Sequence, residues 1–167
     1  VCGEGWVTGG RGERGDSCMS EAMAIGVYTR AAGETAISGK NVTSDVTGNA
    51  AVATGVYANN TSAGATRITA EENLSIRAES LTSSAYGVQG QSKKSTLLEG
   101  ETVDITAKSH AGSAAAVSYA SVKATGDVEL VAEGLGSTRG TYGASGKDDN
   151  YIEGANVKVT AQGGGEV

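Results

Sequence analysis

From about Ala22 onward the chain repeats itself at intervals of about 29 residues, and the spacing is visible in three separate columns. The central Val of "GVY" falls at Val27 and Val56, its equivalents are Val88 and Val117, and Ala144 stands in the fifth copy. A second marker opens the last strand of each copy: Val42, Leu74, Val103, Val128 and Val157. Between them lies a third column, Ile37, Ile68, Leu98, Val122 and Ile152. A repeat of this length is too short to bury its own apolar face, so it must stack on its neighbours.

Each copy reads as strands. Leu74, Ile76 and Ala78 alternate with Ser75, Arg77 and Glu79, and the same period of two governs Val103, Ile105, Ala107 and Val157, Val159, Ala161. Alternation rich in Val, Ile and Thr marks a strand with one buried side. Two residues after the middle aliphatic, a small residue always stands: Gly39, Ala70, Gly100, Ala124, Gly154. That suits a sharp bend where a larger side chain would crowd the backbone. Three short strands and three bends per copy predict an all-β fold, a single-chain right-handed parallel β-helix of about five coils. Each coil leaves its N–H and C=O groups to be paired by the next, about 4.8 Å away. Hairpin signals are scarce, which argues against a sandwich or barrel.

Composition agrees with a thin core. The 167 residues include no Pro, no Phe and one Trp, against 26 Gly. A net charge of −6 without a basic block excludes a nucleic-acid groove as an expected partner. No apolar run reaches membrane-spanning length, so no membrane insertion by this segment is expected.

Stacking in register constrains the outward columns, because like charges on adjacent coils repel. Glu79, Lys108, Glu133 and Gln162 alternate in sign and form an expected charge ladder. The neighbouring column, Ser75, Asp104, Glu129 and Lys158, sets two carboxylates side by side. Tyr28 and Tyr57 should stack on the outer face of the first two coils. The irregular loops "ANNTSAGA", "QGQSKKS" and "SGKDDN" gather at one corner, where binding residues tend to sit above a rigid scaffold. Candidate binding residues are therefore Tyr28, Tyr57, Asn59, Asn60, Lys93, Lys94, Lys147, Asp148 and Asp149.

Residues 1–21 form a separate segment, and residues 22–167 carry the repeats. The first contains Trp6 and the two cysteines, Cys2 and Cys18. Two cysteines favour a disulfide over a metal site that wants four ligands, and the loop so closed is worth about 3 kcal/mol. Its expected task is to close or edge the first coil, since an open solenoid end invites aggregation.

Repeats such as "GVYANNTSAGATRITAEENLSIRAES" and "YGVQGQSKKSTLLEGETVDITAKS" resemble passenger regions of bacterial autotransporter adhesins, over roughly the last 145 residues. The resemblance implies display outside the outer membrane and a role in adhesion, aggregation or biofilm formation. It also implies partners among host-surface or matrix glycans and proteins, or other copies of the chain. The cysteine loop departs from that pattern, because such passengers often avoid cysteine.

Chemistry is sparse. The sole histidine, His110, lies in the turn "KSHAGS" without a GxSxG setting, and neither a P-loop nor an EF-hand is present. "KDDN" offers oxygen ligands but reads as a solvated turn. Asp104 and Glu129, about 5 Å apart on adjacent coils, have the spacing of a retaining glycosidase pair, with Lys158 beside them favouring a charge ladder instead. "RGD" at Arg14–Asp16 and the sequons at Asn41, Asn59, Asn60 and Asn73 arise easily by chance. Thr35, Thr66 and Thr96 form a short column, expected outward or at a corner, that Ala120 and Asn150 end. The expectation is a non-catalytic extracellular adhesive solenoid of a bacterial surface, needing no cofactor. The alternatives are a fibre subunit stacking coil to coil and a polysaccharide-acting enzyme fragment.

Overall fold

A computed structural model describes residues 6–8, 23–30, 33–60, 64–91, 95–135, 141–146 and 149–163. Among these residues the chain forms strands and turns and no helix. A short strand, β1 (Trp6–Thr8), precedes five rungs of three strands. The first rung is β2 (Met23–Thr29), β3 (Glu34–Gly39) and β4 (Val42–Gly48). The second is β5 (Val52–Ala58), β6 (Ala65–Ala70) and β7 (Asn73–Ser80). The third is β8 (Ala85–Gln89), β9 (Thr96–Gly100) and β10 (Thr102–Ser109). The fourth is β11 (Ala114–Ser118), β12 (Ser121–Ala124) and β13 (Asp127–Gly134). The fifth is β14 (Tyr142–Ser145), β15 (Ile152–Glu153) and β16 (Asn156–Gly163).

Equivalent strands of successive rungs pair in parallel and build three sheets. Sheet 1 is β2-β5-β8-β11-β14, sheet 2 is β3-β6-β9-β12-β15, and sheet 3 is β4-β7-β10-β13-β16, with β1 on the free side of β4. The chain is thus a parallel β-solenoid. All three marker columns stack as the repeat requires: Val27–Val56–Val88–Val117–Ala144 in sheet 1, Ile37–Ile68–Leu98–Val122–Ile152 in sheet 2, and Val42–Leu74–Val103–Val128–Val157 in sheet 3. Their central members fill the core together with Ile76, Ile105 and Leu130.

The core is thin because two of its walls nearly touch. The position before the sheet 1 marker is Gly26, Gly55, Gly87, Ala116 or Gly143, and the pairing register skips it. A Cβ at Gly87 would lie 2.5 Å from Ile105 Cγ2 and 2.6 Å from the Ala116 carbonyl oxygen. In the fourth rung the position is Ala116, and the sheet 3 residue in register with Ile105 is Leu130, whose branch lies one carbon further out than that of isoleucine. The small-residue corner behaves as expected: a Cβ at Gly100 would meet the Thr102 carbonyl oxygen at 2.8 Å, whereas Ala70 and Ala124 fit and are buried.

Hydroxyls hold the corner between sheets 3 and 1. Ser80 Oγ donates to the Ala51 carbonyl at 2.7 Å and accepts from the Ser83 amide. One rung on, Ser109 Oγ donates to the Ser83 carbonyl and accepts from the Gly112 amide. In the fourth rung Gly134 takes the serine position, and the Thr141 hydroxyl occupies the space a side chain there would need.

The first rung is edged on one side. Trp6, Val7 and Thr8 pair antiparallel with Asp45, Ser44 and Thr43, so part of the N-terminal segment does lie against the first coil. The Cys2–Cys18 pairing and the "RGD" tripeptide lie outside the described residues. On the fifth rung Val157 and Val159, which belong to inward columns, are 46% and 47% exposed.

Gly87→Ala should destabilise the fold by about 1–3 kcal/mol in urea denaturation, because neither wall can retreat without breaking its ladder. Ala116→Gly, which empties the same column without overfilling it, should cost about 1 kcal/mol or less. Equal effects would show that the wall contact does not limit the packing.

Candidate functional site on the lateral faces

The three sheets present outer faces of different chemistry. On sheet 3 the expected ladder is in register, Lys108 opposing Glu79 on one side and Glu133 on the other. Lys108 Nζ lies 3.8 Å from Glu133 Oε2. The carboxylate of Glu79 is engaged elsewhere, by Arg77 at 3.0 Å and by His110 Nε2 at 2.8 Å. His110 is exposed, as its turn suggested, yet it is tied into the ladder. Hydrogen bonds from His110 and Arg77 hold the Glu79 carboxyl below its ordinary range, against a smaller opposing effect of burial.

The neighbouring column is also in register, Ser75–Asp104–Glu129–Lys158. Lys158 Nζ binds Glu129 Oε1 at 2.5 Å, and that bond raises the lysine's pKa. Asp104 is pushed up, first by burial and then by the charge of Glu129. The two carboxyls stand on an exposed strand face, and a depression of about 350 Å³ lined by Ala120, Ala144, Ser145, Gly146, Asn150 and Tyr151 includes neither of them.

Sheet 2 carries a second ladder that the sequence reading passed over. Glu99, Lys123 and Glu153 alternate on adjacent rungs, and Arg67 binds Glu99 at 2.5 Å from the rung below. At the bend into sheet 3 an amide column adds to it. Asn73 Nδ2 donates to Asn41 Oδ1 at 2.8 Å, Thr102 Oγ1 to Asn73 Oδ1 at 2.6 Å, and Asn156 Nδ2 to Asp127 Oδ1 at 2.7 Å. Such ladders are what in-register stacking rewards. Its members were visible as the residue before each sheet 3 marker, two of them as sequons.

Sheet 1 differs. None of its five strands contains Asp, Glu, Lys, Arg or His. Tyr28 and Tyr57 stack across the first two rungs, ring centroids 5.7 Å apart and planes tilted by 52°. Gln89 continues their column. Asn59 Nδ2 donates to the Tyr28 hydroxyl oxygen at 3.2 Å, and Gln91 Nε2 in turn donates to Asn59 Oδ1. These five residues are half-buried.

Comparison with protein-family models, with curated proteins and with solved structures gave no match. The reading therefore rests on this chain's own geometry.

Asn60 corrects an expectation. It is 2% exposed and belongs to the interior, where its Nδ2 donates to Thr66 Oγ1 at 2.9 Å. The threonine column lies at a corner, one of the two expected places, with Thr66 and Thr96 buried there. Thr66 Oγ1 and Thr29 Oγ1 share a 2.7 Å hydrogen bond, so this corner has a polar lining that loop composition concealed. An amide beside a bend is drawn inward when a hydroxyl there needs a partner. Asp149 is exposed as expected. Lys93, Lys94, Lys147 and Asp148 lie outside the described residues. Among the described residues no group of three or more His, Cys, Asp or Glu side chains is placed to hold a metal ion.

Three expected outcomes follow from the titrating groups and the buried seam. Asp104→Asn should raise the thermal midpoint at neutral pH, since a carboxyl whose folded pKa is raised opposes folding only when ionised. The gain should fade as pH falls through the ordinary carboxylate range and Asp104 becomes neutral in both states. Glu79→Gln should do the opposite: its folded pKa is depressed, so the stability it supplies is present above the ordinary carboxylate range and is lost as pH falls through the folded value. Thermal scans across acid and neutral pH check both signs. Thr66→Val should cost about 1–3 kcal/mol, because it strands the Asn60 amide and the Thr29 hydroxyl.

Proposed function

We propose that this chain is a non-catalytic structural and adhesive β-solenoid segment of a bacterial surface protein, working outside the cell. The observation that carries the reading is the division of labour among its faces. Two faces spend their charges on rung-to-rung ladders, while the third holds uncharged aromatic and amide groups at the surface. Fixed side chains lose little entropy when a partner arrives, and weak contacts repeated along a solenoid add by avidity. Partners on this reading are host-surface or matrix glycans or proteins, or other copies of the chain.

A polysaccharide-acting role is the weaker reading. The paired carboxyls Asp104 and Glu129 on adjacent rungs favour it, but they occupy an exposed strand face, and Lys158 claims one of them. Self-assembly into fibres is favoured by the exposed Val157 and Val159 of the fifth rung. Head-to-tail stacking would have to displace β1 from the edge of β4.

Beads coated with the folded chain should attach to cultured host cells or matrix-coated surfaces, or aggregate one another, well above beads coated with heat-unfolded chain. Attachment no better than that control sinks the adhesive reading. Chain shortening of a polysaccharide by the wild type, lost in Asp104→Asn, would replace it with the enzymatic one.

A further inference from the structure

We propose that the outer face of sheet 1 is a binding surface for a neutral glycan chain lying along the solenoid axis across the first three rungs. The proposal rests on the adhesive reading above and names the ligand class of the same surface.

Charge distribution gives the first reason. The described strands of sheets 2 and 3 contain Glu34, Asp45, Arg67, Arg77, Glu79, Glu99, Asp104, Lys108, Lys123 and others, whereas the strands of sheet 1 contain none. In a chain with 32 charged residues of 167 this is a partition by face, set by where the repeat admits charge. An ionic partner would find nothing in those strands to neutralise it, and Arg30 stands just past the end of β2.

The aromatic groups give the second. Four of the six tyrosines, Tyr28, Tyr57, Tyr86 and Tyr142, lie in sheet 1 strands, and all four are half-buried. Tyr28 and Tyr57 follow one another at the rung spacing, which is close to the advance of a saccharide chain per sugar ring. The apolar C–H face of a sugar packs on the exposed parts of such rings, which here contact each other with centroids 5.7 Å apart.

Hydrogen-bonding capacity is the third. The Tyr28 oxygen accepts from Asn59, which leaves its own O–H to donate outward. Gln91 donates to Asn59 and keeps Oε1 as an acceptor. The Tyr57 hydroxyl and the Gln89 amide have no partner among the described residues and supply both donors and acceptors. Uncharged groups of both kinds beside aromatic rings match a hydroxyl-rich, uncharged polymer better than a peptide, whose recognition would call for a free sheet edge or an apolar groove. Asn59 and Gln91 act as positioning residues, fixing the Tyr28 ring.

The test uses the full chain and insoluble neutral polysaccharides: cellulose, chitin and a β-glucan. At least one should retain the wild-type protein, with retention unchanged at high ionic strength. Tyr57→Ala and Tyr28→Ala should each lower retention by about tenfold, the order expected for loss of one stacked ring. Lys108→Ala, on sheet 3, should leave it unchanged. Circular dichroism on each variant separates a lost surface from a lost fold, and Tyr57→Phe serves as the second, milder variant that keeps the ring.

Four results would overturn the proposal. These are no retention on any neutral polymer by folded wild type, retention only on sulfated or uronate polymers with loss in salt, retention indifferent to both tyrosines, and concentration-dependent self-association lost in Tyr57→Ala. The bead assay above tells the two proposals apart. Attachment that survives both tyrosine substitutions keeps the adhesive reading and ends this one, and polysaccharide capture without bead attachment does the reverse.

Discussion

Parallel pairing between rungs is the interaction on which everything else in this molecule depends. A single coil of three short strands has almost no core and a full set of unpaired backbone groups. The next coil satisfies those groups only if it arrives in register, and register then places each side chain directly against its counterpart one repeat away. Chemistry is thereby forced into columns. Inside, columns of Val, Ile and Leu stack into a core with small residues at the bends. Outside, most columns resolve their charge by alternating sign, by amide-to-amide bonding, or by carrying no charge at all, and the Asp104–Glu129 pair, with Lys158 beyond it, is the exception.

The inward columns and their register were legible in the sequence because period-two alternation and a nearly constant repeat point to one pairing. All three marker columns stack as read, down to Ala144 and Ile152. The Glu79–Lys108–Glu133 ladder and the Tyr28–Tyr57 stack were legible for the same reason: once the register is known, outward neighbours follow. Residues at the bends were not legible. There the chain leaves the ladder, and a side chain's direction depends on local hydrogen bonding that no periodicity encodes. Asn60 reads as a loop amide and is buried to serve Thr66. Ser80 and Ser109, at strand ends, donate to the backbone of the turn that opened their own coil.

The absence of charge from sheet 1 was also in plain view and was missed, because it emerges only when strands a whole repeat apart are read as one surface. Its significance comes from contrast. Glu99–Lys123–Glu153 on sheet 2 and the ladders of sheet 3 show that this register accommodates charge readily. The sheet whose strands carry none has tyrosines and amides that contact one another instead.

The glycine that precedes the sheet 1 marker has a further consequence for how such a chain changes over time. A side chain there would meet both sheet 3 of the same rung and the backbone of the next rung: a Cβ at Gly87 would crowd Ile105 and the Ala116 carbonyl oxygen alike. The facing wall is matched within the rung, while the following rung supplies a backbone oxygen that every rung carries. Duplication or loss of a whole rung keeps every such match intact, while exchange of a single strand between rungs breaks one. Chains built this way lengthen and shorten in complete turns, and their length is inherited in steps of one rung.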